Sequence, residues 1–93
     1  MEITQSNTEK NGHFMATEDG KQAGLMTYTW AGPGKFIIDH TEVNPDFRGR
    51  DVGKKMVYAA VDYARENDLK ITPLCPFAAA VFRKDETLAD VRF

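Results

Sequence analysis

The stretch Asn44-Pro45-Asp46-Phe47-Arg48-Gly49-Arg50-Asp51-Val52-Gly53-Lys54-Lys55 decides the fold, because the chain changes its period across it. Upstream lies Phe36-Ile37-Ile38-Asp39-His40-Thr41-Glu42-Val43, a β-prone run read as a strand. Asn44-Pro45 ends it: Pro45 has no N–H to give a ladder and biases Asn44 away from helix. Downstream, Val52, Met56, Val57, Ala60, Val61 and Ala64 trace one broad helical stripe, with Lys54, Lys55, Asp62, Arg65 and Glu66 off it. Residues 51–66 as helix span roughly 24 Å.

Working outward, His13–Thr17 and Ala23–Trp30 read as strands, with Asp19-Gly20 as a hairpin turn and Gly32-Pro33-Gly34 as a second turn. A leading strand is expected near Glu2–Gln5, with Asn11-Gly12 as its turn. After the helix, Asn67-Asp68 closes it and Leu69–Leu74 is a short strand. Pro76 then stands at the first position of a second helix over Phe77–Lys84, where its missing N–H costs nothing. Asp85–Phe93 carries no clear pattern. The sum is an α+β fold: a mixed, mostly antiparallel sheet with one long helix and one shorter helix. Residues 1–93 are expected to form one domain.

The chain has 93 residues, a size that argues against two independent cores. At 42% hydrophobic and 28% charged it has a globular, not a disordered, composition. Tyr28, Trp30 and Phe36 are assigned to the core. The formal net charge of −2 rules out a whole-surface positive field, so no nucleic acid partner is expected. No apolar run approaches the length of a span, so no membrane partner is expected. Cys75 is the only cysteine, which excludes an internal disulfide and a cysteine-cluster zinc site. A lone thiol and a start without an apolar leader fit a cytoplasmic chain, expected as a monomer or weak homodimer. His13 and His40 lack the carboxylate spacing of a metal site, and no metal is expected.

The strand-to-helix junction carries the chemistry. A turn with Gly49 and Gly53 that opens a long helix aims several N–H groups, and the positive end of the helix dipole, at one spot. Arg48, Arg50, Lys54 and Lys55 add cations there. Basic residues in a first helical turn oppose the dipole, so they want a reason to be there. Two readings stand at this point: a pyrophosphate cradle, or a glycine-containing turn with a solvated basic helix start. The spacing is neither Gly-x-x-x-x-Gly-Lys-Ser/Thr nor Gly-x-Gly-x-x-Gly.

The pattern Val43-x-Pro45-x-x-Arg48-Gly49-x-x-Val52-Gly53 resembles the acetyl-CoA-binding motif of the GNAT superfamily of N-acetyltransferases. Arg48 and Gly53 match its first and last positions, and Asp51 stands where a glycine is usual. His40-Thr41-Glu42-Val43, Pro73-Leu74-Cys75-Pro76-Phe77 and Ala89-Asp90 are similar to a small, single-domain "GNAT-like" subfamily. The resemblance implies acetyl-CoA as cofactor, lying between the strand that precedes the loop and the strand that follows the long helix. It implies that the backbone of Thr41 and Val43 holds the pantetheine arm. The loop Arg48, Gly49, Arg50, Asp51, Val52 and Gly53, with Lys54, would hold the pyrophosphate, and Lys55 or Arg50 the 3′-phosphate. The expected activity is transfer of acetyl from acetyl-CoA to an unknown amine or thiol acceptor, small molecule or protein. The alternatives are a CoA-binding module without turnover, acting as a sensor or partner subunit, and an interaction domain that binds another phosphate ligand.

Three residues are candidates for catalysis. Cys75 precedes Pro76 at the start of the second helix, where unpaired N–H groups favour a thiolate in general. It is read as a nucleophile that takes the acetyl group or as a small buried hydrophobe. His40 is a candidate base. Glu42 would serve as base or orient His40. Strict alternation puts Ile38, His40 and Glu42 on one face of the strand and Asp39, Thr41 and Val43 on the other.

Overall fold

The computed structural model describes residues 1–93. Strands β1 (Glu2–Asn7), β2 (Asn11–Glu18), β3 (Lys21–Trp30) and β4 (Lys35–Val43) lead to α1 (Val52–Glu66), β5 (Lys70–Pro73) and α2 (Pro76–Lys84). Short 3-10 helices occupy Pro45–Phe47 and Glu86–Val91, the second filling a tail that has no sequence pattern of its own. The sheet order is β1-β2-β3-β4-β5. The first four strands pair antiparallel in sequence order, and β5 joins β4 in parallel after the α1 crossover. No helix is long and apolar enough to cross a membrane.

Turn chemistry accounts for most of the meander. Asp19 and Gly20 both have positive φ, as a tight hairpin requires. Asn11-Gly12 is not the first turn, contrary to expectation; both residues belong to β2. The turn lies just upstream, where the Thr8 hydroxyl accepts from the N–H groups of Lys10 and Asn11 at 3.2 and 3.1 Å. Gly12 serves another purpose: a Cβ there would lie 2.5 Å from the Tyr28 ring. The glycine lets a large aromatic cross it.

One face of the sheet carries the core. Phe14 and Ala16 of β2, Met26 and Tyr28 of β3, Phe36 and Ile38 of β4, and Ile71 of β5 are buried there. The α1 stripe, Val52, Met56, Val57, Ala60, Val61 and Ala64, packs on the same buried cluster. Close approach depends on small residues: a Cβ on Gly24 would sit 2.8 Å from Val52 and 2.9 Å from Met56. Tyr28 and Phe36 are core residues and Trp30, partly buried, packs against them, the rings 4.7–5.8 Å apart at tilted or edge-on angles.

The β3–β4 register slips once. Thr27 pairs with His40 but Tyr28 pairs with Ile38, which leaves Asp39 as an extra residue. A one-residue bulge moves every later side chain to the other face. Thr41 is therefore opposite Met26 and Val43 opposite Gly24, both core-face residues of β3. This corrects the strict alternation: Thr41 and Val43 share the face of Ile38, while His40 and Glu42 lie on the outer face.

Candidate functional site

The loop between β4 and α1 is tied down at its start and open at its end. The Asn44 side chain accepts from Asp46 N–H at 3.0 Å and donates to the Gln22 carbonyl at 3.0 Å. Phe47 is buried beneath the 3-10 turn. Gly49 has φ +82° and Asp51 φ +57°, so Asp51 takes the left-handed conformation that it tolerates better than most residues. Asp51 is the N-cap of α1, yet its side chain makes no capping hydrogen bond. The first helical bond runs from Lys55 N–H to the Asp51 carbonyl at 2.9 Å. The N–H groups of Val52, Gly53 and Lys54 consequently stay unpaired, as at any helix start without an N-cap bond. They face a hollow of about 280 Å³ lined by Arg48, Gly49, Asp51, Gly53 and Lys54, among others. Free N–H groups at a helix N-terminus with no acidic residue in the first turn form a site for an anion.

The cations around it are not equivalent. Arg50 pairs with Glu18 of β2 at 2.5 Å and lies 5.5 Å from the Phe47 ring centre, so it tethers the loop to the β2–β3 hairpin. Arg48, Lys54 and Lys55 make no ion pair with an acidic side chain, and Lys54 lies 6.0 Å over the Tyr58 ring. Gly53 is buried, and a Cβ on it would meet the Phe77 ring at 2.6 Å. Its bareness lets α2 close against α1.

Beside the loop, two strands part. β4 and β5 pair only from Lys35–Lys70 to Ile38–Pro73. Leu74 and Cys75 N–H both end on the Ile38 carbonyl, at 3.1 and 3.0 Å, and β5 goes no further. On the β3 side, Asn44 N–H bonds the Ala23 carbonyl at 2.8 Å. By the alternation of an antiparallel ladder, Glu42 and His40 then bond toward β3, while the N–H and C=O of Thr41 and Val43 turn to the edge that β5 has left. That edge is unpaired backbone, ready to accept an extended chain bearing amides.

Cys75 closes the inner end of this gap. It is the N-cap of α2, 6% exposed, and its Sγ accepts from Ala78 N–H at 3.3 Å. The Thr41 hydroxyl lies 3.2 Å from the same sulfur. The residues that sequence singled out thus divide in two. Thr41, Val43, Cys75 and, from the loop, Arg48, Gly49 and Asp51 to Lys54 gather around the gap and its hollow, while Arg50 is drawn to Glu18. His40 and Glu42 are exposed on the opposite side of β4, with His40 directly across from Thr27 and Glu42 from Leu25. Sequence reading assigned only backbone to Thr41. Its side-chain contact with Cys75 depends on the bulge, which no local pattern announces.

Residues 13–91 match the GCN5-related N-acetyltransferase family. The chain belongs to that family. Its similarity to a GCN5-like protein from Staphylococcus aureus, solved by NMR, covers 99% of this chain and 87% of that one, at 34% identity and a TM-score of 0.72. Protein NATD1 of Xenopus tropicalis is 37% identical over 51 residues, which are 55% of this chain and 47% of NATD1. The chain thus aligns with about half the length of the NATD1 proteins it matches. A Bacillus anthracis protein solved with acetyl coenzyme A covers 84% of this chain and 47% of its own, at 21% identity and a TM-score of 0.62, a likeness of fold. GCN5-related N-acetyltransferases use acetyl-CoA, and the open strand edge beside an uncapped helix start is the part of this fold that suits a long ligand with amides at one end and phosphates at the other.

Proposed function

We propose that residues 1–93 act as one domain that takes the acetyl group from acetyl-CoA and passes it to an amine or thiol acceptor. The observation that carries this is the free Thr41–Val43 edge of β4, with the uncapped start of α1 at one end and a cysteine at the other. The free N–H groups of Val52, Gly53 and Lys54 would hold the pyrophosphate, with Arg48 at the rim. The backbone of Thr41 and Val43 would pair with the pantetheine amides, and the thioester would then lie toward Cys75. Holding the thioester in place supplies the main advantage, and a backbone N–H on the free edge would polarise its carbonyl.

In the acyl-enzyme route, the Cys75 thiolate attacks the thioester carbonyl. An Sγ–acetyl bond forms, the bond from acetyl to CoA sulfur breaks, and CoA leaves as a thiolate that takes a proton. An acceptor amine then displaces Sγ and loses its proton. In direct transfer, the amine attacks the acetyl-CoA thioester without passing through Cys75: the N–acetyl bond forms, the bond from acetyl to CoA sulfur breaks, and CoA leaves as a thiolate that takes up the amine's proton through solvent. A second reading, a CoA-binding module without turnover, draws on the enclosure of Cys75 at 6% exposure.

Intact mass after incubation with acetyl-CoA tests the cysteine route. One acetyl group is expected on the wild type, removable by a small thiol, and none on Cys75→Ala, which should still bind CoA in titration calorimetry. An adduct that persists in Cys75→Ala places the acetyl on a lysine and overturns the route. Transfer to a panel of amines without any adduct selects the direct route, and tight binding with neither selects the module.

A further inference from the structure

The bulge in β4 turns Thr41 toward Cys75, and two side-chain hydrogen bonds hold it. Asp39 is the residue left over when the register slips between Thr27–His40 and Tyr28–Ile38. Its two carboxylate oxygens accept from two different threonines of the neighbouring strand: Thr27 Oγ1 to Oδ1 at 2.5 Å, and Thr29 Oγ1 to Oδ2 at 2.6 Å. Bonds from a hydroxyl to a carboxylate are charge-assisted, the stronger class. Thr27 and Thr29 are alternate residues of β3, so both project from its outer face.

We propose that Asp39 is a positioning residue, a two-point clamp that fixes where the bulge sits and so aims the second half of β4. The reach of the carboxylate spans two successive outer-face positions of β3. A bulge one residue earlier or later would take the carboxylate off that face or out of reach of one threonine. With the bulge at Asp39, Thr41 falls on the inner face and its hydroxyl meets the Cys75 sulfur at 3.2 Å. Without the slip, alternation would put Thr41 on the outer face, away from Cys75, and would turn its N–H and C=O toward β3 instead of the free edge. Asp39 thereby acts on the gap from the opposite side of the sheet and touches no ligand. The proposal rests on the acetyl-CoA reading only for its binding readout; the geometry of Thr41 and Cys75 is read in the free protein.

Three variants test it: Asp39→Ala removes the clamp, Asp39→Asn keeps both contacts by accepting from one threonine and donating to the other, and Thr27→Val with Thr29→Val removes the donors while leaving the carboxylate. Backbone amide resonances of Thr41, Val43 and Cys75, and the alkylation rate of Cys75, are read without ligand; acetyl-CoA affinity is read by titration calorimetry. Asp39→Ala and the double valine variant should both displace the three resonances, change the alkylation rate, and weaken acetyl-CoA binding by about tenfold. Asp39→Asn should resemble the wild type in all three. Should Asp39→Ala not fold, the double valine variant carries the test alone. Unmoved Thr41 and Val43 resonances in the double variant overturn the clamp, as does an Asp39→Asn protein as altered as Asp39→Ala. A wild type that binds no acetyl-CoA would refute the functional reading and leave the resonance and alkylation readouts to decide the clamp.

Discussion

α1 and α2 begin side by side, Phe77 of one against Gly53 of the other, and treat their first N–H groups in opposite ways. In α2, Pro76 has no N–H to give and Ala78 N–H is taken by the Cys75 sulfur. α1 leaves its N–H groups free, because the Asp51 side chain caps nothing. Both starts follow a strand at the same end of the sheet. The difference shows that a helix start can be closed by its own N-cap side chain or left open, depending on whether that side chain accepts a bond from the first turn. It also assigns the two residues different costs. Cys75 is fixed by packing, while Asp51 stands in left-handed backbone with its charge beside the place where phosphates would sit.

The comparison breaks most severely where the two starts touch. Gly53→Val should push Phe77 aside, destabilise the protein by about 1–3 kcal/mol as overpacking does, and abolish acetyl-CoA binding together with the loss. Denaturant unfolding and calorimetry check it; a variant of unchanged stability that no longer binds would mean that Gly53 matters for ligand approach and not for helix packing.

Asp51→Asn sharpens the contrast with a smaller effect. Asn keeps the left-handed conformation and removes the carboxylate. A unit charge near a phosphate at water-like screening is worth about 1 kcal/mol, so acetyl-CoA should bind roughly fivefold tighter, with the thermal midpoint unchanged. Equal affinity would show that the carboxylate points away from the hollow.

How far these features were legible depends on whether their cause is local. Strand, loop and helix boundaries around Asn44–Lys55 follow from proline, glycine and period, and the α1 stripe maps onto its buried face. The α2 start at Pro76 followed from the missing N–H. What stayed hidden was set across strands. Asn11-Gly12 looks like a turn until Tyr28, more than a dozen residues on, claims the space over Gly12. Asp39-His40 looks like ordinary alternation until Thr27 and Thr29 hold the extra residue. Inside the candidate site, the glycine-containing loop and its uncapped helix start were readable and the Thr41–Cys75 contact was not, for the same reason.

The far ends of the helices give the smallest effect. Hydrogen bonds from Thr87 and then from Tyr58 hold the Asp85 carboxyl below its ordinary value of 3.8, and the hydrogen bond from Arg65 does the same for Asp90. A depressed carboxyl stabilises the fold above its unfolded value, and that contribution is lost as pH falls through 3.8 and below. Asp90 is exposed and Asp85 only partly buried, so the thermal midpoint should dip only slightly between pH 5 and pH 3, on the order of a degree or two. Asp85→Asn should flatten part of the dip. A full-sized dip in that variant would assign it to other carboxyls and leave the helix ends out of the comparison.

The strand order has a consequence for how the molecule assembles. β1 to β4 stand in the sheet as they do in the chain, each joined to the next by a short turn, so their pairings are close in sequence and quick to form. β5 meets β4 only after the whole of α1 has been laid across, and that closure carries the largest loop in the sheet. The gap between β4 and β5 is bounded on one side by the early meander and on the other by this late arrival. A ligand seated in it would bridge the first part of the protein to organise and the last.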